Sequence, residues 1–446
     1  MKRPECILFI SQDLSVPFTK TTEYLSSAAE RMGLRTIVRD SSDARMMLLL
    51  FSKLDQATHL IPEIEKDLLR KNMQLIDSYG IDCVMSLDLG WLILPDLFIE
   101  HPAIKKIYSI WYDDFMSFLG ASTNTIFPYH NHTFQEIVKH PKVIHSFYGQ
   151  AMARESMLLG FSNQISSKLA APREFLELNY PCKVKDKLAF IGNPGFRGEP
   201  HPDVIKLLDQ GADLLAMREL SRAQLLYTAE SGEWKDWVVE PTIVDLLKLA
   251  TALKCENPFT SSMQILEVAG THYPTAFEIL NKQGNLLKAA WAVKLVLRYD
   301  RPALVYRLYK KGLVDVISNP EEWKPYGVES TPSIIGDHLT EAYMRYFAHI
   351  NASNCLRDAT ANEKLFEVSA CGRTSINIDS PDVRECYGPE EIFLVNSLKE
   401  AEEAAQQLIA NPDMALTMGK KARRRTALQH TWDHRMASLI GHFDKS

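Results

Sequence analysis

The sequence predicts an α/β protein built from two Rossmann-like domains, and three observations predict it. Short β-branched or aromatic runs alternate with amphipathic stretches through the first 180 residues. The same alternation resumes after residue 314, and prolines at 172 and 181 punctuate the passage between the halves. Near-continuous apolar strands separated by helices belong in a parallel sheet covered on both faces.

Composition agrees with a globular chain. The 446 residues carry 50 Lys and Arg against 56 Asp and Glu, a formal charge of −6, with 46% apolar and 24% charged residues. That excludes a disordered chain, a collagen and a coiled coil, and the length suits two or three domains. Mild acidity without a basic stripe leaves no nucleic-acid partner expected. No run approaches the roughly 18 apolar residues of a membrane helix; the stretch from Leu89 to Ile99 is broken by Pro95 and Asp96. The start, MKRPECILFISQD, lacks a small-residue cleavage site, so no signal peptide is expected. The seven cysteines (Cys6, Cys83, Cys182, Cys255, Cys355, Cys371, Cys386) include no C-x-x-C pair. They read as buried thiols of a reducing compartment, and a cytoplasmic location is expected.

In order along the chain, CILFIS (6–11), RTIVRD (35–40), DCVMSLD (82–88), KIYSIWY (106–112) and KVIHSFY (142–148) read as strands. Between them TTEYLSSAAERMG and IPEIEKDLLRKNMQLIDSYG space apolar residues helically and end in glycine. These make an N-terminal domain, 1–180. KLAFIGNPGFRG (187–198) opens a second domain, 181–420, with a helical insert expected at 201–305 after its first strand. Strands are expected again at VDVIS (314–318), SIIG (333–336), TSINID (374–379) and EIFLVN (391–396). Ser397 and Glu400 form a capping box for a helix that stops at Asn411-Pro412. Residues 421–446 are expected to cross back to the first domain. Thr431 caps their last helix, whose Trp432, Met436, Leu439, Ile440 and Phe443 share one face.

Four patterns carry chemistry. The turn Gly192-Asn193-Pro-Gly195-Phe-Arg197-Gly198 follows a strand, where backbone amides approach a phosphate and Arg197 pairs with it. It is neither a G-x-G-x-x-G fingerprint nor a P-loop, and a plain strand-to-helix turn has the same spacing. In NEKLFEVSACG, Asn362 suits an N-cap and Gly372 a residue just past a helix end. Lys364 in the first turn would add its charge to the helix dipole against a pyrophosphate, and Glu367 on the same face would accept ribose hydroxyls. An exposed Lys–Glu pair is the plainer alternative. Asp113 and Asp114 follow a predicted strand, the edge where α/β sheets bind ligands, and suit a base or acceptor group or a solvated turn. Tyr129-His130-Asn131-His132 has no third ligand at recognisable spacing, so no metal is expected. The basic run Lys420, Lys421, Arg423, Arg424 and Arg425 reads as a solvated helix face, with membrane contact at most peripheral.

Taken together, NEKLFEVSACGRTSINIDSPDVRECYGPEEIFLVNS, a helix ending in NP and the close HTWDHRM resemble the CgeB-like glycosyltransferases. Members of that family carry an R-x-F-E-x-x-A-C-G core, a strand, a glutamate-containing loop and a terminal H-T-Y-x-x-R. WYDDF and IGNPGFR resemble the family's N-terminal W-x-x-D-D and the segment opening its second domain. The resemblance implies the GT-B architecture, two Rossmann-like domains facing across a cleft. It implies transfer of a hexosyl group from a UDP- or GDP-linked nucleotide sugar to an acceptor hydroxyl, with no cofactor and no obligatory metal. By position, Glu367 matches the glutamate that holds the donor ribose, Gly372 lets the chain turn beside the nucleotide, and Lys364 replaces the usual arginine. The donor site expected is Gly192, Asn193, Arg197, Asn362, Lys364, Glu367 and Gly372, with Asp113 or Asp114 catalytic. The insert departs from the family and is expected to select the acceptor, a glycan, protein or small molecule. A non-catalytic scaffold and a sugar-nucleotide epimerase are the alternatives.

Overall fold

The structure, a computed structural model, describes residues 3–10, 19–39, 61–87, 95–111, 134–158, 160–178, 184–195, 200–334, 338–353, 355 and 360–443. The chain divides into two compact units, one of residues 1–169 with 431–446 and one of 170–430.

The first unit holds a parallel six-stranded sheet. Its strands are β1 (Cys6–Ile10), β2 (Arg35–Arg39), β3 (Cys83–Leu87), β4 (Lys106–Trp111), β5 (Val143–Phe147) and β6 (Gln164–Ser166), in the order β2-β1-β3-β4-β5-β6. The central strands are buried end to end, as their unbroken apolar runs require. β6 is short and polar and was not expected from the sequence. The helices Thr19–Arg31 and Ile61–Tyr79 are followed by Gly33 and Gly80, both at positive φ, where glycine ends a helix without strain. The last helix, Trp432–Gly441, packs on Thr19–Arg31 and buries Trp432, Met436, Leu439 and Ile440. Thr431 and His434 close its capping box, and Arg435 donates from Nε to the carbonyl of Lys168 at 2.7 Å.

The second unit holds another parallel six-stranded sheet: β7 (Leu188–Ile191), β8 (Val314–Ile317), β9 (Ser330–Thr331), β10 (Ala348–Asn351), β11 (Thr374–Ile378) and β12 (Phe393–Val395). The order β12-β11-β10-β7-β8-β9 is the doubly wound order 3-2-1-4-5-6 read from the other edge. Its switch point therefore lies between β7 and β10. Two sequence expectations change here. The edge strand is the two-residue β9 rather than the expected SIIG: Ser333 and Ile334 are outside any strand, and residues 335–336 lie outside the described residues. The central β10 was missed because AHIN puts His349 and Asn351 in a strand, yet both are buried.

Between β7 and β8 the chain runs through six helices, from Pro202–Asp209 to Leu286–Lys294, before the crossover helix Asp300–Lys310. Pro202–Asp209 and the start of Leu214–Glu230 pack into the core beside the sheet. The rest gathers a core of its own around Ile243, Leu246, Leu266, Leu280 and Val293. A buried ion pair ties Leu214–Glu230 to the crossover helix: Arg218 donates to Asp300 Oδ2 from Nη2 at 2.7 Å and from Nε at 3.0 Å. The six cysteines among the described residues are buried and form no disulfide.

The C-terminal helices carry the caps expected of them, with one change. Ser397 Oγ accepts from the Glu400 N–H at 3.1 Å, but the Glu400 carboxylate reaches back to the N–H of Asn396 rather than to the cap residue. In the helix Pro412–Gln429 the basic run is largely spent inside the unit. Lys421 pairs with Glu390, Arg425 with Glu391, and Arg423 donates to the carbonyl of Leu176. Among the described residues no helix is long and apolar enough to cross a membrane.

Candidate functional site

An open α/β sheet binds ligands beyond the C-terminal ends of its strands at the switch point, because the loops there diverge. In the second unit that point is the turn after β7, and two segments far apart in sequence converge on it. Gly192 has φ +144°, and a Cβ placed on it would lie 3.7 Å from Lys364 Nζ and 3.6 Å from the Phe190 ring. Lys364 thus meets the turn predicted to hold a phosphate, 172 positions earlier in the chain. The Gly192 backbone is held from both sides. Its N–H donates to the Ile317 carbonyl at 3.0 Å, and its carbonyl accepts from Trp323 Nε1 at 2.9 Å.

A second cation stands at the same turn. Arg301 Nη1 donates to both the carbonyl and Oδ1 of Asn193 at 3.2 Å. Asn193 Oδ1 also accepts from the Gly195 N–H at 2.9 Å, so this side chain shapes the turn. Gly195 has φ +92°, and a Cβ there would come within 3.2 Å of the Arg301 guanidinium. Arg301 was not a sequence candidate. The signal available was its place at the start of the crossover helix that returns to β8, where a basic side chain borders the first β–α turn.

The helix Glu363–Ala370 begins after the C-terminal end of β10. Asn362 is its N-cap, buried, with Oδ1 accepting from the Leu365 N–H at 3.2 Å. Lys364 lies 3.9 Å from Glu363, and both are partly exposed. Glu367, a turn further on, is partly buried and accepts from the Tyr343 hydroxyl at 2.7 Å. Burial pushes its carboxyl up to about 7, against the Tyr343 bond, which lowers it. Gly372 ends the helix with φ +71°. Its turn bonds run from the Gly372 N–H to Ser369 and from the Arg373 N–H to Val368.

The turn at Gly372 is pressed by a residue the sequence did not single out. A Cβ on Gly419, in Pro412–Gln429, would lie 2.3 Å from the Gly372 carbonyl oxygen. Only hydrogen at that position lets the two backbones approach so closely. Glu391, in the loop before β12, ties the same helix down. Its Oε1 accepts from Arg425 Nε at 3.1 Å and its Oε2 from the Gly388 N–H at 2.7 Å.

The structure therefore brings Gly192, Asn193 and Lys364 together, with Arg301 added, and sets Asn362, Glu367 and Gly372 along the helix that carries Lys364. Arg197, Asp113, Asp114 and the stretch Tyr129 to His132 lie outside the described residues. Among the described residues no group of three His, Cys, Asp or Glu side chains could hold a metal ion. Chemically, the switch-point edge offers two cations, a glycine turn and nearby helix starts, a setting that suits a phosphorylated group.

Comparison with known proteins adds the following. Among solved structures, T4 phage BGT in complex with its UDP-glucose substrate is similar at a TM-score of 0.42 and 10% identity, covering 99% of this chain and 98% of that one. Anabaena HepE in complex with UDP-glucose is similar at 0.48 and 9% identity, covering 98% and 99%. A glycosyltransferase from Rickettsia africae is similar at 0.47 and 8% identity, covering 99% and 97%. All three scores lie below 0.5, and the fold assignment rests on the chain's own strand orders. No curated protein sequence matches. Residues 298–441, from the start of the crossover helix to the last helix, match the family model described as glycosyl transferase-like.

Proposed function

We propose that the protein is a glycosyltransferase that moves a hexosyl group from a UDP- or GDP-linked sugar to an acceptor hydroxyl, within the CgeB-like family. The observation that carries this reading is the approach of Lys364 Nζ to Gly192, with Arg301 on the same turn. The glycosyl transferase-like match over 298–441 supports it, since that stretch contains Lys364, Glu367 and Gly372.

When the acceptor oxygen attacks the anomeric carbon, the bond to the diphosphate breaks and negative charge builds on the leaving group. Lys364 and Arg301 would stabilise that charge where it develops. Asn193 already holds Arg301, and Trp323 and Ile317 hold the Gly192 backbone, so this part of the site needs little reorganisation. Arg197 belongs to the same role by sequence. Glu367 keeps one carboxyl oxygen clear of Tyr343 to accept ribose hydroxyls, and it does so best when ionised. Asp113 and Asp114, which follow β4, are proposed to take the acceptor's proton. The chemistry asks for no metal. A cytoplasmic setting and peripheral membrane contact at most complete the reading.

The test is direct. The purified protein is mixed with UDP-glucose, UDP-N-acetylglucosamine or GDP-mannose, and binding and nucleoside diphosphate release are followed. We expect one donor to bind and hydrolyse slowly, and Lys364→Gln and Arg301→Gln to weaken both events. Binding of no nucleotide and no nucleotide sugar by the parent would overturn the reading.

A further inference from the structure

Beside the glycine turn, at the C-terminal ends of β10 and β11, lies a cavity of about 50 Å³. Its wall comes from two sources. Asn351, Asn377 and Ser380 belong to the strand ends; Phe259, Leu297 and Asp300 come from the helical stretch and the crossover helix. Asn351 ends β10 next to Ile350, which pairs with Phe190 of β7 two residues before Gly192, so the cavity lies on the same sheet edge as the glycine turn.

The side chains fix what the cavity asks for. Asn377 Nδ2 donates to the Ser375 carbonyl at 3.3 Å and to its Oγ at 2.9 Å. A carbonyl only accepts, so the Asn377 amide has one orientation, with Oδ1 turned toward Asn351. That oxygen accepts from Asn351 Nδ2 at 2.7 Å. The orientation of Asn351 follows in turn, and its Oδ1 is left as an acceptor. Asn351 is 6% exposed, and among the described residues its Oδ1 has no hydrogen-bond partner. A buried acceptor with no donor is costly, and a hydroxyl brought to it would recover that cost. The same cavity is lined by the apolar Phe259 and Leu297. An O–H donor carried on a C–H surface fits both, and the volume admits a hydroxymethyl-sized group rather than a whole pyranose ring.

We infer that Asn351 is a specificity-determining residue for the transferred sugar. Its Oδ1 accepts a hydroxyl of the hexosyl group, and Phe259 and Leu297 of the helical stretch supply the apolar lining. This rests on the nucleotide-sugar reading above. It also gives the helical stretch a part in reading the donor, whereas the sequence suggested the acceptor.

The test measures UDP, GDP, UDP-glucose, UDP-N-acetylglucosamine and GDP-mannose binding to the full chain by calorimetry, for the parent, Asn351→Ala and Phe259→Ala. Thermal unfolding of each variant is followed alongside. We expect both variants to bind the free nucleotide as the parent does and to bind the nucleotide sugar about tenfold more weakly. Phe259→Ala leaves the Asn351–Asn377 pair intact, so it reports on the cavity even if Asn351→Ala fails to fold. Equal loss of nucleotide and nucleotide sugar, or no loss of either, overturns the inference and leaves the transferase reading standing. The second of these results is also the one expected if water alone occupies the cavity. A parent that binds neither nucleotide nor nucleotide sugar overturns both.

Discussion

Tyr343 donates its hydroxyl to Glu367 across 2.7 Å, and through that bond the helix before β10 holds the acid of the helix after it. Burial, the larger influence, raises the Glu367 carboxyl from 4.5 to about 7. The folded chain therefore keeps this proton over a pH range in which the unfolded chain has released it. Glu367 favours the folded state fully below about 4.5, and that contribution is lost as pH rises through about 7. Urea unfolding across this window should show stability falling with pH, and Glu367→Gln should remove that part of the slope. An unchanged slope in the variant would exclude Glu367 as its source. Nucleotide affinity should run the other way, rising through pH 7 as the carboxylate forms, and this rise too should vanish in Glu367→Gln.

Removing only the hydroxyl gives a sharper result. Tyr343→Phe deprives Glu367 of its donor, at a cost of about 1–3 kcal/mol. It also takes away the bond that favours the ionised form, so the midpoint of the nucleotide-affinity rise should move to higher pH. A variant with the parent's stability and midpoint would show the bond to be idle.

Lys364 and Gly192 make a second test. Lys364→Gln should weaken nucleoside diphosphate binding about tenfold, and the loss should shrink at high salt, as expected for a charge that is open to solvent. Lys364→Arg keeps the charge and should retain most of the affinity. Gly192→Ala should fail differently, because φ +144° strains any residue with a side chain and the new methyl would crowd Phe190 and Lys364. Its expected signature is lower thermal stability as well as weaker binding.

The Arg218–Asp300 pair is buried on both sides, with side chains 9% and 10% exposed. Arg218→Leu should cost about 3–5 kcal/mol, since it leaves a carboxylate buried without its counter-charge. Adding Asp300→Leu should restore much of the loss. Chemical unfolding of the single and double variants decides it, and equal stability of the two would show that Asp300 is compensated elsewhere.

Gly419→Ala separates propensity from packing. Within an exposed helix this exchange stabilises by up to about 1 kcal/mol. Here the methyl would stand 2.3 Å from the Gly372 carbonyl oxygen, so the helix must move. A loss of about 3 kcal/mol is expected instead, at the upper end for overpacking. Thermal unfolding reads the sign.

Much of this was legible one segment at a time. Gly33, Gly80 and Gly372 marked helix ends because only glycine turns there without strain, and the strand runs marked both sheets. The approach of Lys364 to Gly192 was not legible as such, because it depends on β10 lying beside β7 and so on the winding of the sheet. β10 itself escaped because its polar residues have private partners. His349 Nε2 donates to the Tyr343 carbonyl at 2.8 Å and is pushed down to about 4 by burial, and Asn351 pairs with Asn377. A polar residue whose partner is remote in sequence looks like surface. Arg301 and Gly419 were missed for the same reason, since each matters through a neighbour more than forty positions away.

The division of the chain has a consequence for how it is made. The first unit opens at the start of the sequence, yet the helix Trp432–Gly441 that covers Thr19–Arg31 is translated only after all of 170–430. At bacterial or eukaryotic elongation rates that interval lasts on the order of ten to fifty seconds. Throughout it the nascent first unit shows the ribosome's surroundings the face carrying Leu25, which in the finished protein lines a small cavity together with Trp432 and Leu439. The second unit has no such wait, because everything it needs has emerged by His430. The order of synthesis is thus the reverse of the order of completion: the unit begun first is the last to be sealed, and chaperones meeting the growing chain have its N-terminal third to guard.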